Sequence, residues 1–366
     1  MSLKRGLFIN NKKAKDSIYE SGFMVYQCLR LSSIYKLDYQ EIDIEERKIK
    51  TGYDFYFFNY HPITMGWLQT RNLKKELGFV ITMILEVAPG DPFVLCPDND
   101  FDLYCVLDPT IKPRKNLFPF PRPLERIKIP HQIRENVIPI IGSFGFATRG
   151  KGFQHVVEAV NKEFDKAIVR INIPFGDYVP NSKNYALSLA KLCKEKAKPG
   201  IEVIVTHDFL EKDALITWCS ENSLNCFLYD RQMPGLSATT DQAIASGRPL
   251  SVANNDTFRH ILKYLKPYPV FSLKASIEKS IPLVEKMKDD WSPEKFYLKF
   301  EKILQEQYCE RLSIKSAGTN IYFLPLKQND FTDKLLAKWQ LFKRKLNWKT
   351  FIRIIKSIQK KHVEIN

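Results

Sequence analysis

Short apolar runs and longer amphipathic segments alternate along most of the chain. Runs of strand length occupy residues 5–10, 53–60 and 79–85, and apolar residues recur at helical spacing over 16–35. A second series of the same kind starts at residue 137. Continuous apolar strands that alternate with helices are typical of parallel sheets covered on both faces. The pattern therefore predicts an α/β fold.

The two series are separated by residues 112–135, which contain five prolines among basic residues and show no periodicity. A segment of this composition favours a linker between domains. We predict two Rossmann-like domains that face a cleft, followed by a basic helical C-terminal tail. The predicted boundaries are 1–130 and 131–292 for the two domains, 293–310 for a crossover helix and 311–366 for the tail.

Some local predictions are more specific. Residues 66–77 show helical spacing, and the apolar run at 93–96 favours a short strand. Residues 224–252 have the pattern of a strand, a polar turn, a helix that opens near Ser237, and a second strand. Pro and Gly in the turn stop regular structure there.

Composition and cysteine usage limit the class of protein. A chain of 366 residues with 44% hydrophobic content is long enough for two cores. Its seven cysteines are scattered singly without a CxxC pair, which argues against a disulfide framework or a zinc site. The first residues lack the apolar core of a signal peptide, and no apolar run reaches the length of a membrane span. We expect a cytoplasmic protein.

The net charge of +15 indicates an anionic partner, and much of it lies in the tail. Residues 331–366 carry ten Lys and Arg against Asp333 and Glu364, and apolar residues including Trp339 and Trp348 recur at helical spacing. A basic amphipathic helix with aromatic residues over 331–361 suits an anionic membrane surface, which would place the protein peripherally at the inner membrane face. The alternatives are a helix docked on the first domain and a nucleic-acid-binding tail.

Two loops of the second series suit phosphate. The first, at 145–152, combines glycines with two cations ahead of a helix, and the second, at 230–240, combines an arginine with a Gly-containing turn and hydroxyls. Glycine lets a ligand approach the backbone closely, and cations neutralise phosphate charge. The spacing is neither that of a Walker loop nor that of the dinucleotide fingerprint. The alternative is an ordinary βαβ turn in which Ser and Thr only cap the helix.

The second series resembles the group 1 glycosyltransferases of GT-B fold, which use nucleotide-sugar donors. Residues 142–146 with Arg149, Lys151 and Gly152 resemble the turn and the Arg…Lys-Gly pair that hold the donor diphosphate in that family. Residues 243–249 resemble the family's Glu-Ala-Met-Ala-x-Gly-x-Pro helix. The resemblance covers 137–304 well and the first domain only in outline. The family's paired glutamates fall on Pro234 and Gln242, so recognition of the donor sugar departs from the family pattern.

The resemblance implies transfer of a sugar from a nucleotide-sugar donor to a hydroxyl of a glycan or lipid-linked acceptor, in cell-surface polysaccharide synthesis and without a metal or other cofactor. The first domain would bind the acceptor and the second the donor. The implied donor-binding residues are Gly145, Arg149, Lys151, Phe209, Asp230, Arg231, Gly235, Ser237, Thr239, Asp241 and Gln242.

A general base is needed if the sugar inverts, and the first domain offers three candidates where strands are predicted to end. Asp91 is the first choice, ahead of His61 and Glu86. The structural alternatives are a buried, hydrogen-bonded role for His61, and support of the Pro89–Gly90 turn by Glu86 and Asp91.

Other functional classes remain compatible with the sequence. One is a sugar-nucleotide enzyme without transfer, such as an epimerase, although an acid/base set for that chemistry is not evident. The others are a catalytically degenerate member of the family and a nucleic-acid-binding protein. Nucleic acid is the less favoured partner.

Overall fold

The computed structural model describes residues 4–13, 17–126, 137–176, 181–231, 235–309 and 321–327. Within these residues the chain forms two parallel sheets, of six and five strands. The tail prediction for 331–361 and the position of Pro234 lie outside the described residues. No helix among the described residues is long and apolar enough to cross a bilayer.

The first sheet has the strand order β2-β1-β4-β5-β6-β7, and all its neighbouring strands are parallel. Its strands are β1 (Lys4–Asn11), β2 (Tyr35–Ile42), β4 (Phe55–Phe58), β5 (Phe79–Ile84), β6 (Leu103–Val106) and β7 (Leu117–Pro119), and β3 (Lys48–Lys50) lies outside it. The helices of this part are α1 (Ser17–Leu29), α2 (Leu73–Leu77) and α3 (Pro92–Leu95). All four residues of β4 are buried, as expected for an apolar strand covered on both faces.

The second sheet has the order β10-β9-β8-β11-β12 and is also parallel. Its strands are β8 (Ile140–Phe144), β9 (Ala167–Asn172), β10 (Ile201–Thr206), β11 (Leu224–Phe227) and β12 (Leu250–Val252). The helices are α4 (Phe153–Glu163), α5 (Ser182–Glu195), α6 (Lys212–Ser220), α7 (Thr239–Ala245), α8 (Leu273–Lys279), α9 (Ile281–Asp290) and α10 (Pro293–Cys309), with 3-10 turns at Asp256–Phe258 and Ile261–Lys263.

The end of the described chain returns to the first sheet. Phe296 and Phe300 of α10 are buried with Phe8 and Phe57 on the sheet face that also packs against α1. On the opposite face, Leu324 joins the core, and β13 (Ile321–Phe323) pairs antiparallel with β3. The first sheet is therefore covered by sequence-distant segments on both faces.

Several local predictions are wrong in detail. The helix expected over 66–77 is confined to α2, because residues 61–70 form turns held by Leu68 and Gln69 against 325–326. The strand expected at 93–96 is α3, whose first turn is capped by Asp91. The helix of the 224–252 unit, by contrast, begins at Thr239, close to Ser237 as expected. The proline-rich segment contains a sixth strand, β7, since an edge strand tolerates proline.

Candidate functional site

The ammonium group of Lys151 is the centre of the second-domain site. Lys151 follows β8 and precedes α4, and only 8% of the residue is exposed. Its Nζ donates a hydrogen bond to the Tyr229 hydroxyl at 2.8 Å and lies 4.5 Å from the centre of that ring. A buried cation at the carboxyl edge of a parallel sheet lies where α/β folds place their ligands.

The Tyr229 hydroxyl that contacts this ammonium belongs to a cluster of three hydroxyl groups. The Tyr229 hydroxyl lies 2.7 Å from Thr239 Oγ1, which in turn lies 2.7 Å from Ser237 Oγ. Burial lowers the pKa of Lys151, and Tyr229 opposes that shift. Burial alone would raise the pKa of Tyr229, but Lys151 and the hydroxyls of Ser237 and Thr239 lower it. A phosphate oxygen beside Lys151 would restore its charged form, so the cluster is suited to an anion.

Several glycines of this loop have backbone conformations that disfavour side chains, and two of them border Lys151 directly. Gly145 has a φ of 140°, and a Cβ there would lie 3.2 Å from Lys151 Nζ and 3.4 Å from Thr239. Gly152 has a φ of 66°, and its Cβ would lie 1.8 Å from the carbonyl oxygen of Leu228. Side chains at these positions would close the space beside the ammonium or separate the loop from β11. A cavity of about 290 Å³ adjoins the loop, between Gly150–Gln154 and residues of α5.

Arg231 adds a second cation to the cluster. Its Nη1 donates to Thr148 Oγ1 at 3.2 Å, and the guanidinium lies 5.5 Å from the centre of the Tyr229 ring. Its Nε is buried without a hydrogen-bond partner among the described residues. Asn255 fixes the main chain here by donating to the Arg231 carbonyl at 2.6 Å. By contrast, the third cation, Arg149 on the loop that carries Lys151, is exposed.

The remaining donor candidates are distributed around this centre. Asp230 is exposed and lies 3.1 Å from His155 Nε2. Burial alone would lower the pKa of His155, but hydrogen bonds to Glu158 and Asp230 raise it. Phe209 is 45% exposed, with its ring centre 6.4 Å from that of Phe146.

Asp241 faces the interdomain linker. Its Oδ2 lies 2.8 Å from Arg122 Nε, and both side chains are over nine-tenths buried. Burial raises the pKa of Asp241 to about 6, against the opposing effect of Arg122. Arg122 also donates to the Leu236 carbonyl at 3.2 Å and so fixes the loop before α7. The structure thus places Asp241 in a linker contact, while Gln242 is half-buried on the same helix.

In the first domain, His61 and Glu86 are brought together. His61 is buried, its Nδ1 accepts from the Ile63 amide at 3.2 Å, and its Nε2 lies 3.6 Å from Glu86 Oε2. With Nδ1 engaged by the Ile63 amide, Nε2 is the ring nitrogen that faces Glu86, at a distance longer than a hydrogen bond. Glu86 follows β5 with a φ of 58°, a conformation that is uncommon outside glycine and recurs at functional sites.

Glu86 also meets the donor loop of the second domain. A Cβ added to Gly235 would lie 3.1 Å from both Cα and Cγ of Glu86, whose side chain is 47% exposed. Asp91, in contrast, accepts from the Phe93 amide at 2.9 Å and caps α3. Among the three acid/base candidates, Glu86 is therefore the one in contact with the loop that carries Ser237 and Thr239.

Sequence reasoning did not single out several residues of this region. Tyr229 ends an apolar run, so its position in the sequence predicts a core residue. Its hydroxyl at the end of a strand was the one signal for a role in the site. The others are Thr148, His155, Asn255 and Arg122. A second buried polar group lies beneath the first-domain edge, where Asn59 Nδ2 donates to Asn10 Oδ1 at 2.6 Å.

Solved structures with the same architecture are glycosyltransferases. One is Anabaena Alr3699/HepE in complex with UDP-glucose, with a TM-score of 0.55 and 9% sequence identity. The matched region covers 83% of this chain and 100% of the HepE chain. A glycosyltransferase from Rickettsia africae ESF-5 has a TM-score of 0.57 and 10% identity, over 84% of this chain and 99% of that chain. Sucrose-phosphate synthase from Thermosynechococcus elongatus has a TM-score of 0.56 and 10% identity, over 84% of this chain and 100% of the synthase chain. The predicted GT-B fold, with two Rossmann-like domains, is confirmed.

Sequence comparisons add little to this result. A family model described as GW (Gly-Tryp) dipeptide domain matches residues 5–74, which include Gly66 and Trp67. The match covers about a fifth of the chain, and the matched residues contribute β1, β2 and β4 to the first sheet. They are thus part of a larger domain rather than a separate unit. A sequence search of curated proteins finds no match.

Proposed function

We propose that the protein is a glycosyltransferase that moves a hexosyl group from a nucleotide-sugar donor to a hydroxyl of a glycan or lipid-linked acceptor. The observation that supports it is the buried Lys151 ammonium at the edge of the second sheet, which contacts the Tyr229 hydroxyl of a hydroxyl cluster and lies beside Gly145. This arrangement suits the diphosphate of a donor. The GT-B neighbour HepE is described in complex with UDP-glucose, which supports a UDP-hexose as the first donor to test.

The reaction forms a bond between the acceptor oxygen and the anomeric carbon and breaks the bond from that carbon to the diphosphate. Negative charge then develops on the leaving diphosphate, where Lys151, Arg231 and the hydroxyls of Ser237 and Thr239 stabilise it without a metal. In an inverting reaction the acceptor hydroxyl gives its proton to Glu86, which His61 Nε2 faces. Asp91 is the alternative base, and the remaining donor candidates keep the roles that the resemblance implies as secondary proposals.

The proposed setting is the synthesis of a cell-surface polysaccharide at the inner membrane face. An acceptor attached to a lipid requires the enzyme to reach a bilayer, and the basic residues of 331–361 would bind anionic headgroups. The same segment supports a peripheral location rather than nucleic-acid binding.

The first test is thermal unfolding of the full chain with UDP, GDP, ADP, CMP and dTDP in the absence of metal. A nucleotide present at about 100 times its Kd stabilises the folded state by about 2.7 kcal/mol and raises the melting temperature. We expect a shift with one of them, lost in Lys151→Ala and kept in Lys166→Ala, which changes an exposed lysine before β9. The absence of a shift with all five nucleotides, or an equal loss in both variants, would contradict the donor-site assignment.

A further inference from the structure

The two-stranded ribbon of β3 and β13 presents an unusual outer face. Its register pairs Ile321 with Lys50 and Phe323 with Lys48, and the intervening pair is Tyr322 with Ile49. Ile49 is buried in the core of the first domain, so the neighbouring positions point the opposite way. Two lysines and two large apolar side chains consequently share one outward face, called here the ribbon face (Lys48, Lys50, Ile321 and Phe323).

The ribbon face is exposed and basic. Ile321 is 66% and Phe323 57% exposed, and Lys48 Nζ lies 5.1 Å above the Phe323 ring. Neither lysine forms an ion pair with a carboxylate of the described chain. Glu46 precedes β3 but lies 3.9 Å from Lys12, alongside β1. Single exposed apolar residues are ordinary, whereas apolar and basic side chains alternating on one ribbon form a surface of mixed character.

We propose that the ribbon face contacts an anionic membrane surface. Isoleucine and phenylalanine side chains would enter the boundary between headgroups and acyl chains, and the two lysines would bind lipid phosphates. Charge complementarity favours this occupant. The basic tail at 331–361 would be repelled by the lysines, and a symmetric contact with a second copy would place lysines against lysines.

This contact is formed by β3 of the first domain and by β13, which comes from the predicted C-terminal segment, and it is separate from the one assigned to residues 331–361. It extends the peripheral location in the proposed function but does not depend on sugar transfer. The chain continues from the ribbon through Leu326, which is 39% exposed, and Lys327 towards the tail. A membrane bound at the ribbon face would therefore meet the chain close to where the basic tail begins.

Co-sedimentation of the full chain with vesicles tests the proposal. Vesicles of phosphatidylcholine with about one-third phosphatidylglycerol would be compared with phosphatidylcholine alone. We expect Lys48→Glu/Lys50→Glu to reduce partitioning by at least about thirty-fold, the factor expected for loss of two lysine contacts. Ile321→Ser/Phe323→Ser should also weaken binding. Leu298→Ser is the matched control, because Leu298 is 54% exposed on α10, which packs on the opposite face of the first sheet.

A probe on the ribbon separates this contact from the tail. Phe323→Cys carrying an environment-sensitive fluorophore, in a Cys96→Ser/Cys309→Ser background, should show a blue shift with anionic vesicles. Binding without a shift, or unchanged partitioning of both double variants, would overturn the ribbon proposal and leave the tail contact standing. Equal binding to neutral vesicles, or no binding at all, would overturn it as well. Nucleotide binding in the same preparations reports independently on the proposed transferase function.

Discussion

The carboxyl edges of the two sheets differ in charge although their topology is alike. The first-domain edge carries neutral amides at Asn10 and Asn59 and an exposed carboxylate at Glu86 beside a buried histidine. The second-domain edge carries the buried ammonium of Lys151 among hydroxyls, with Arg231 nearby. One edge suits an uncharged hydroxyl and its proton, and the other suits an anion. Side chains, not the shared Rossmann-like topology, therefore distinguish the two edges.

The largest effect predicted from this difference is at Glu86. Glu86→Gln keeps the shape of the side chain but removes its ability to accept a proton, so we expect turnover to fall by about 10²- to 10⁴-fold. Binding of the nucleotide at the second-domain edge should be unchanged. The measurement is sugar transfer, or slow release of nucleoside diphosphate from the donor to water, together with the thermal shift.

Asp91→Asn is the matched control for this experiment. Asparagine caps a helix about as well as aspartate, so α3 should be retained while the charge is lost. We expect turnover close to that of the unmodified protein. The opposite ranking, with Asp91→Asn inactive and Glu86→Gln active, would reject Glu86 as the base. Full activity of both variants would point to a reaction without a general base at this edge.

A somewhat smaller effect, on stability, is predicted at Arg122. This linker residue forms an ion pair with Asp241 at the second-domain edge. Removing one partner of a buried ion pair leaves an uncompensated charge, and Arg122→Met should lower the free energy of unfolding by about 3–5 kcal/mol. Arg126→Met is the control, because the Arg126 side chain is 69% exposed in its pair with the half-buried Glu294, and this pair should contribute less than about 1 kcal/mol. Urea unfolding of both variants provides the measurement.

The double variant Arg122→Met/Asp241→Leu refines this prediction. Since it removes both charges together, stability should recover relative to Arg122→Met alone. If the double variant also binds nucleotide, Asp241 makes no contact that the donor requires. Persistent loss of nucleotide binding with restored stability would instead support the direct donor contact that the resemblance implies.

The sheets were predictable because their strands are buried on both faces. Residues 5–10 were expected as a strand and lie within β1, and 79–85 differs from β5 by one residue. The proline-rich β7 was missed, because its position at the sheet edge is what allows proline. Asp91 followed by Pro92 is a helix-start signal that outweighed the short apolar run at 93–96.

The candidate site was predictable only where a local motif marks it. Lys151 and Thr239 belong to loops with glycines, hydroxyls or cations, and the structure brings them together. Arg122 has no such signal, since it lies 114 residues from Leu236 in a segment without periodicity. The pairing of Glu86 with Gly235 depends equally on how the two domains pack. Contacts of this range are set by tertiary structure and are not visible in one sequence.

The smallest predicted effect is the contribution of His260 to the pH dependence of stability. This residue lies near the contacts that join the two domains. His260 is 3% exposed, its ring is stacked 5.3 Å from that of Trp291, and neither ring nitrogen has a hydrogen-bond partner among the described residues. Burial lowers the pKa of His260 well below 6.5, and the nearby Arg122 and Arg259 add to the shift. Arg259 also joins the domains by donating to Asp108 and to the Val87 carbonyl.

Because the folded state disfavours the charged ring, the unfolded state binds more protons below pH about 6.5, and stability falls as the pH decreases. Through His260 alone, the free energy of unfolding should fall by up to about 1.4 kcal/mol per pH unit, until the pH reaches the pKa of His260 in the folded state. His260→Leu should remove that slope, so that urea unfolding at about pH 5 shows the variant gaining stability relative to the unmodified protein. His155→Leu should show the opposite trend, since a raised pKa stabilises the fold at low pH and this contribution is lost as the pH rises. Parallel pH profiles for both variants would show that neither histidine controls acid stability.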